Sequence, residues 1–121
     1  MNQAGSNDLT VLRDKLRAFA AERDWEQFLS PKNLAMAMSV EASELVEHFQ
    51  WLTEEQSKGL TDEAKKEVGY EAADVLLYLL QLSDKLGIDL IKAAHEKMQR
   101  NAEKYPVEKA RGSAKKYSDL I

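Results

Sequence analysis

The chain has 121 residues, 31% of them charged, a net charge of −4 and no cysteine. That length suits one domain, and residues 1–121 are expected to form one, with a flexible start over 1–8 and a basic tail over 107–121. Disulfides and thiolate metal sites are excluded. An acidic balance argues against a duplex-DNA binder, which needs a dominant basic face. Residues 1–8 are polar, and the longest apolar run, 75–80, is too short to cross a bilayer, so a soluble, cytoplasmic protein without a membrane partner is expected.

Helical periodicity accounts for most of the chain. Val11, Leu12, Leu16, Phe19 and Ala20 set the period of a first helix over about 9–23, with Asp8 as its N-cap. Residues 24–30 form a connection that carries Trp25 and Phe28. Ser30 followed by Pro31 is an N-cap with proline in the first helical position, and it predicts a second helix to about Trp51. Residues 53–60 read as a polar link. Thr61, with Asp62 and Glu63 in the first turn, predicts a third helix that ends near Leu86, before Gly87. Asp89 caps a fourth helix, which must stop before Pro106. No useful strand alternation appears, so the fold class is all-α, a four-helix unit of a size that often pairs with copies of itself.

Four carboxylates interrupt the apolar stripes of the second and third helices. Glu41 and Glu44 lie among Leu34, Met38, Leu45 and Phe49; Glu71 and Asp74 lie among Val68, Val75, Tyr78 and Leu82. Members of each pair are three apart and share a helix face, with Cβ atoms roughly 5–6 Å apart. A lone E-x-x-E is usually a solvated surface. Two such pairs in apolar stripes, on helices joined by a short link and expected to pack antiparallel, are a different matter. Holding unpaired acids against a core costs several kcal/mol per ion or forces their pKa values upward. A divalent cation removes that cost. An all-oxygen donor set favours Mg²⁺ or Mn²⁺, and Mg²⁺ accepts substrate phosphates as ligands. A di-iron carboxylate bundle would need a histidine three residues after a glutamate. Leu45 and Lys92 stand three before His48 and His95, so that motif fails.

Charge is segregated along the chain. Residues 1–91 carry a balance of −8 and residues 92–116 a balance of +5. Lys97, Asn101 and Lys104 recur at i, i+4 and i+7 and form a stripe suited to phosphate oxygens, or a merely solvated flank. Lys115 and Lys116 in the tail are further cations. Trp25 and Trp51 bracket the second helix and are either packing anchors or stacking surfaces for a nucleobase.

Glu41-Ala42-Ser43-Glu44 followed by Glu71-Ala72-Ala73-Asp74 resembles the E-x-x-E…E-x-x-D signature of the MazG-like all-α NTP pyrophosphohydrolases. Residues 22–28, 31–34, 48–51, 74–78, 97–106 and 116–120 resemble, in order, segments of the dCTP pyrophosphatase branch, so the likeness covers about 9–120. The resemblance implies Mg²⁺ held by Glu41, Glu44, Glu71 and Asp74; general-base chemistry then predicts that one carboxylate, Glu41 or Glu44, assists deprotonation of the attacking water. The resemblance implies phosphate contacts from Lys97, Asn101 and Lys104, with Tyr78 and Lys116 as further candidates, and a base pocket lined by Trp25, Trp51 and Asn33. It also implies a homodimer or homotetramer. Some relatives carry a histidine on the first helix near the base, and this chain has none there. The expected activity is hydrolysis of a (d)NTP, dCTP or a modified cytosine deoxynucleotide, to (d)NMP and pyrophosphate, which would cleanse the nucleotide pool without acting on nucleic acid. The competing expectation is a non-catalytic helical module for nucleotide binding or dimerisation.

Overall fold

A computed structural model describes residues 4–115, and all the regular structure among them is helical. The elements are α1 (Ala4–Glu22), a 3₁₀ turn (Glu26–Phe28), α2 (Pro31–Glu47), α3 (Glu54–Lys58), α4 (Asp62–Leu86), α5 (Leu90–Lys104) and α6 (Val107–Ala110). They fall into two compact units, Met1–Ile88 and Asp89–Ile121.

In the first unit α4 is the spine, about 37 Å long at 1.5 Å per residue. It is capped at its start by Thr61 Oγ1, which accepts from Ala64 N at 3.1 Å. At its end Gly87 adopts φ 67°, and Ile88 N donates to Ser83 O at 2.9 Å. Left-handed backbone there costs glycine nothing sterically, and the turn satisfies the last carbonyls of the helix. α2 starts as its sequence predicts: Ser30 Oγ accepts from Asn33 N at 3.1 Å, and Pro31 stands just inside. α2 packs along α4, and α1 packs on α4 as well. Leu29, at the start of α2, shares a hollow with Leu80 and Asp84, while Glu44, near its end, meets Glu71. The two helices are therefore antiparallel. Arg17 of α1 is forked onto Asp84 of α4, with Nε donating to Oδ2 at 2.8 Å and Nη2 to Oδ1. The guanidinium holds the Asp84 carboxyl below its ordinary range.

Several boundaries differ from the sequence expectation. α1 begins at Ala4, so Asp8 lies inside the helix and does not cap it. α2 ends at Glu47 with His48 as C-cap, short of Trp51. The reason lies downstream: Thr53 and Gln56 form a capping box, with Thr53 N donating to Gln56 Oε1 at 2.9 Å and Gln56 N to Thr53 Oγ1 at 3.1 Å. That box opens α3 within the expected polar link, and the chain must leave α2 to reach it. In the second unit Asp89 Oδ1 caps α5, accepting from Lys92 N at 3.1 Å. The expected tail contains the short α6.

Little of this apolar sequence is buried. Among the described residues Ala20, Leu34 and Leu80 form the buried hydrophobic core, with Leu34 only 1% exposed. No described helix is long and apolar enough to cross a membrane. Leu34 fills the space between α2 and its neighbours, so Leu34→Ala is expected to lower unfolding stability by about 2–5 kcal/mol. Urea melts of the two proteins measure the difference, and a change below about 1 kcal/mol would show that the site collapses around the smaller side chain.

Candidate active site

The α2–α4 seam carries its acids on facing surfaces. Glu41, Glu44 and Glu71 each offer a carboxylate oxygen within 4.8 Å of the others. Glu41 and Glu71 are half-buried, and each has one oxygen, Oε2 in both, that is buried with no hydrogen-bond partner. An orphaned buried carboxylate oxygen forfeits its hydration without repayment. The electrostatics register this. A hydrogen bond with Glu44, burial, and the charges of Glu44, Asp74 and Glu71 together push Glu41 up to about 7. Burial, followed by the charge of Glu44, raises Glu71. The donor set is all oxygen, it comes from two rigid helices, and it lacks a positive partner at its two orphaned atoms. These features fit a hard divalent cation such as Mg²⁺ or Mn²⁺. Asp74, one turn beyond Glu71, acts on both raised glutamates through its charge. It lies beside the three clustered acids and borders an apolar cleft.

That cleft, of about 380 Å³, lies between α1 and α4 in the first unit. Leu12, Leu16, Phe19 and Leu77 make its apolar walls, and Asp74 and Tyr78 bring it to the acids. Trp25 is a third wall, and the sequence around it explains its place. Trp25 N donates to Ala20 O at 2.9 Å and Asp24 N to Ala21 O at 3.2 Å, closing α1 with a Schellman turn. Asp24 takes the left-handed position, φ 55°, which aspartate tolerates better than most residues. Gln27 Nε2 donates to Asp24 O at 3.0 Å and steadies the turn. The Trp25 ring meets Phe19 in a T-shaped contact with centroids 5.7 Å apart, and the Arg23 guanidinium caps the other ring at 3.6 Å. A flat aromatic wall is thereby fixed beside a largely apolar cleft, suited to stacking on a planar heterocycle.

The remaining sequence candidates lie elsewhere. Asn33 does not line the cleft; its Nδ2 donates to Phe28 O at 3.0 Å and pins the 3₁₀ turn to α2. Trp51 stands 86% exposed in the turn after α2, away from the cleft lining. Lys97, Asn101 and Lys104 are exposed along α5 in the second unit. Lys116 lies outside the described residues. Sequence reasoning passed over Lys15, Phe19 and Gln81 of the cleft. Gln81 follows Asp74 and Tyr78 at i+7 and i+3, a spacing visible in the sequence but masked by the leucines around it.

Comparison with known proteins gives a consistent set. The profile of the MazG-like family matches residues 36–120. The chain is 44% identical to dCTP pyrophosphatase 1 of Rattus norvegicus and 42% identical to that of Homo sapiens, in each case over 104 residues, 84% of this chain and 61% of the relative. It thus spans about three fifths of the length of these relatives. The crystal structure of a pyrophosphatase from Archaeoglobus fulgidus DSM 4304 superposes with a TM-score of 0.77 at 42% identity, covering 82% of this chain and 93% of that one.

The raised acids make a signed prediction. Glu41 keeps its proton in the folded state up to about 7, whereas the unfolded chain releases it near 4.5. Between those values the folded state binds more protons, so without metal its stability falls as pH rises. Cations compete with those protons. Thermal melts with and without Mg²⁺ or Mn²⁺ should therefore show a larger metal-induced rise in Tm at pH 8 than at pH 5.5. A rise of equal size at both pH values would remove Glu41 and Glu71 from the metal site.

Proposed function

The chain belongs to the MazG-like family, and from that premise we propose that it is a divalent-metal-dependent nucleoside triphosphate pyrophosphohydrolase. The reaction is (d)NTP plus water to (d)NMP plus pyrophosphate. The observation that carries this reading is the pair of orphaned oxygens on Glu41 and Glu71, held by two helices next to an aromatic-walled cleft. A family match alone would not require acids in so unfavourable a state.

Glu41, Glu44, Glu71 and Asp74 are assigned the cation, Mg²⁺ in preference to Mn²⁺. When bound, it supplies charge to the phosphate oxygens and acidifies water. The carboxylate of Glu41 or Glu44 takes the proton from the attacking water as the bond between the α- and β-phosphates breaks. Tyr78, on the cleft face of α4, is assigned a phosphate oxygen, as are the exposed cations and amide of α5, Lys97, Asn101 and Lys104, and Lys116 of the tail. Trp25 stacks on the base.

The names of the mammalian relatives support dCTP as the substrate; a modified cytosine deoxynucleotide as substrate, and cleansing of the nucleotide pool as the role, extend the same proposal. The surface supports self-association into a dimer or tetramer. Val40, Val46, Trp51 and Tyr70 of the first unit are each more than half exposed, apolar surface of the kind that a second copy covers. Trp51 is assigned to the base pocket of such an assembly.

Pyrophosphate release from a panel of NTPs and dNTPs, with Mg²⁺ and with chelator, tests the reading. Metal-dependent release of monophosphate and pyrophosphate is expected, with dCTP among the best substrates. Glu44→Gln and Asp74→Asn are expected to reduce kcat about 100-fold or more while leaving the circular dichroism spectrum unchanged. Full activity in folded Asp74→Asn would sink its assignment as a ligand. No turnover of any nucleotide by folded, metal-supplied protein would instead mark a non-catalytic binding module.

A further inference from the structure

The cleft is apolar over most of its wall, and its polar side chains are few. Lys15 and Asp74 are charged, Tyr78 carries a hydroxyl, and Gln81 is the one amide among the described residues that line it. Asp74, Leu77, Tyr78 and Gln81 follow one another at i, i+3, i+4 and i+7, so they occupy a single face of α4. Gln81 is half-buried, and its Nε2 donates to Leu77 O, one turn back, at 3.2 Å.

That hydrogen bond fixes the amide. Turning it over would set Oε1 against the Leu77 carbonyl, acceptor against acceptor. With one N–H committed, the amide keeps one N–H and the carbonyl oxygen, side by side and in a fixed order. A 4-aminopyrimidine presents an exocyclic N–H donor beside the N3 acceptor. A 4-oxopyrimidine presents an oxygen acceptor beside the N3–H donor. Both edges can pair with an amide, but in opposite order. An amide that cannot turn over therefore distinguishes the two edges when they approach it from the same side. The rise from Asp74 to Gln81 is about 10 Å, on the scale of one nucleotide from its first phosphate to its base edge.

We infer that Gln81 is the base-reading residue of this cleft, with Oε1 accepting from the 4-amino group of a cytosine-type base and the free N–H donating to N3. The inference rests on the reading of the cleft as a base pocket. It adds a specificity determinant that the acid signature does not contain.

Two measurements on the full chain test it. The first compares kcat/KM for dCTP, dUTP and dTTP in the wild type, Gln81→Met and Gln81→Glu. Methionine keeps the length and loses both polar groups; glutamate keeps the acceptors and loses the N–H. Both variants are expected to narrow the dCTP:dUTP ratio about tenfold or more, with the metal dependence of turnover unchanged. The second is calorimetric titration with deoxycytidine and deoxyuridine, which carry no phosphate and need no metal. Loss of deoxycytidine affinity in the variants, with deoxyuridine affinity kept, is the expected result. An unchanged ratio, an equal loss for both bases, or a wild type that binds the two nucleosides alike would overturn the inference, since a purely structural glutamine lowers everything together. The two readings fail separately. A protein that discriminates the nucleosides but hydrolyses no nucleotide keeps Gln81 as the reader and loses the enzyme. One that hydrolyses nucleotides with its base ranking unmoved by the variants keeps the enzyme and loses the reader.

Discussion

Mutual repulsion between carboxylates on facing helices is the constraint around which the first unit is organised. Glu41, Glu44 and Glu71 are close enough to share a cation, and two of their oxygens are buried without a partner. Left alone, such a cluster favours separation of α2 from α4 or neutralisation by protons. What opposes separation is ordinary packing further along the same seam. Leu34 lies on α2 and Leu80 on α4, and both are buried. Arg17 ties α1 to Asp84 toward the end of α4 away from the acids. The stabilising contacts and the unpaired acids thus occupy different levels along α4.

The aromatic wall depends on a different device, the way α1 ends. A helix that frayed at Glu22 would leave Trp25 with no defined position. The two reverse hydrogen bonds onto Ala20 and Ala21, with Asp24 in the left-handed region, fold the chain back so that Trp25 packs on Phe19 of the same helix. Asn33 contributes from the other side by holding the Phe28 carbonyl. That bond steadies the connection that carries Trp25.

The features legible in the sequence share one property: they are written in short-range spacing. Ser30-Pro31, Thr61 and Asp89 cap the helices they were expected to cap, because a cap involves only the next three residues. The three clustered glutamates were legible because acids at i, i+3 in an apolar stripe break a local pattern. What escaped depends on competition or on distance. The end of α2 is decided by the capping box of Thr53 and Gln56, six residues beyond Glu47. The start of α1 overrides a good N-cap candidate in Asp8. Trp51, an apparent match to Trp25 by position, is exposed because the chain leaves α2 before reaching it. Gln81 sits among leucines, and only the fold shows that its face of α4 is a cleft wall.

The placement of that face has a consequence for how such a site can change. Asp74, Tyr78 and Gln81 ride on one uninterrupted helix, so the acid end of the cleft and its Gln81 end are held in register by backbone hydrogen bonds rather than by a loop. The opposite wall, Leu12, Leu16 and Phe19, comes from a second helix that meets α4 through side chains and the Arg17–Asp84 fork. Substitutions on α1 can therefore reshape the cleft without moving the acids, whereas substitutions on α4 at Asp74 or Glu71 alter the acid group itself.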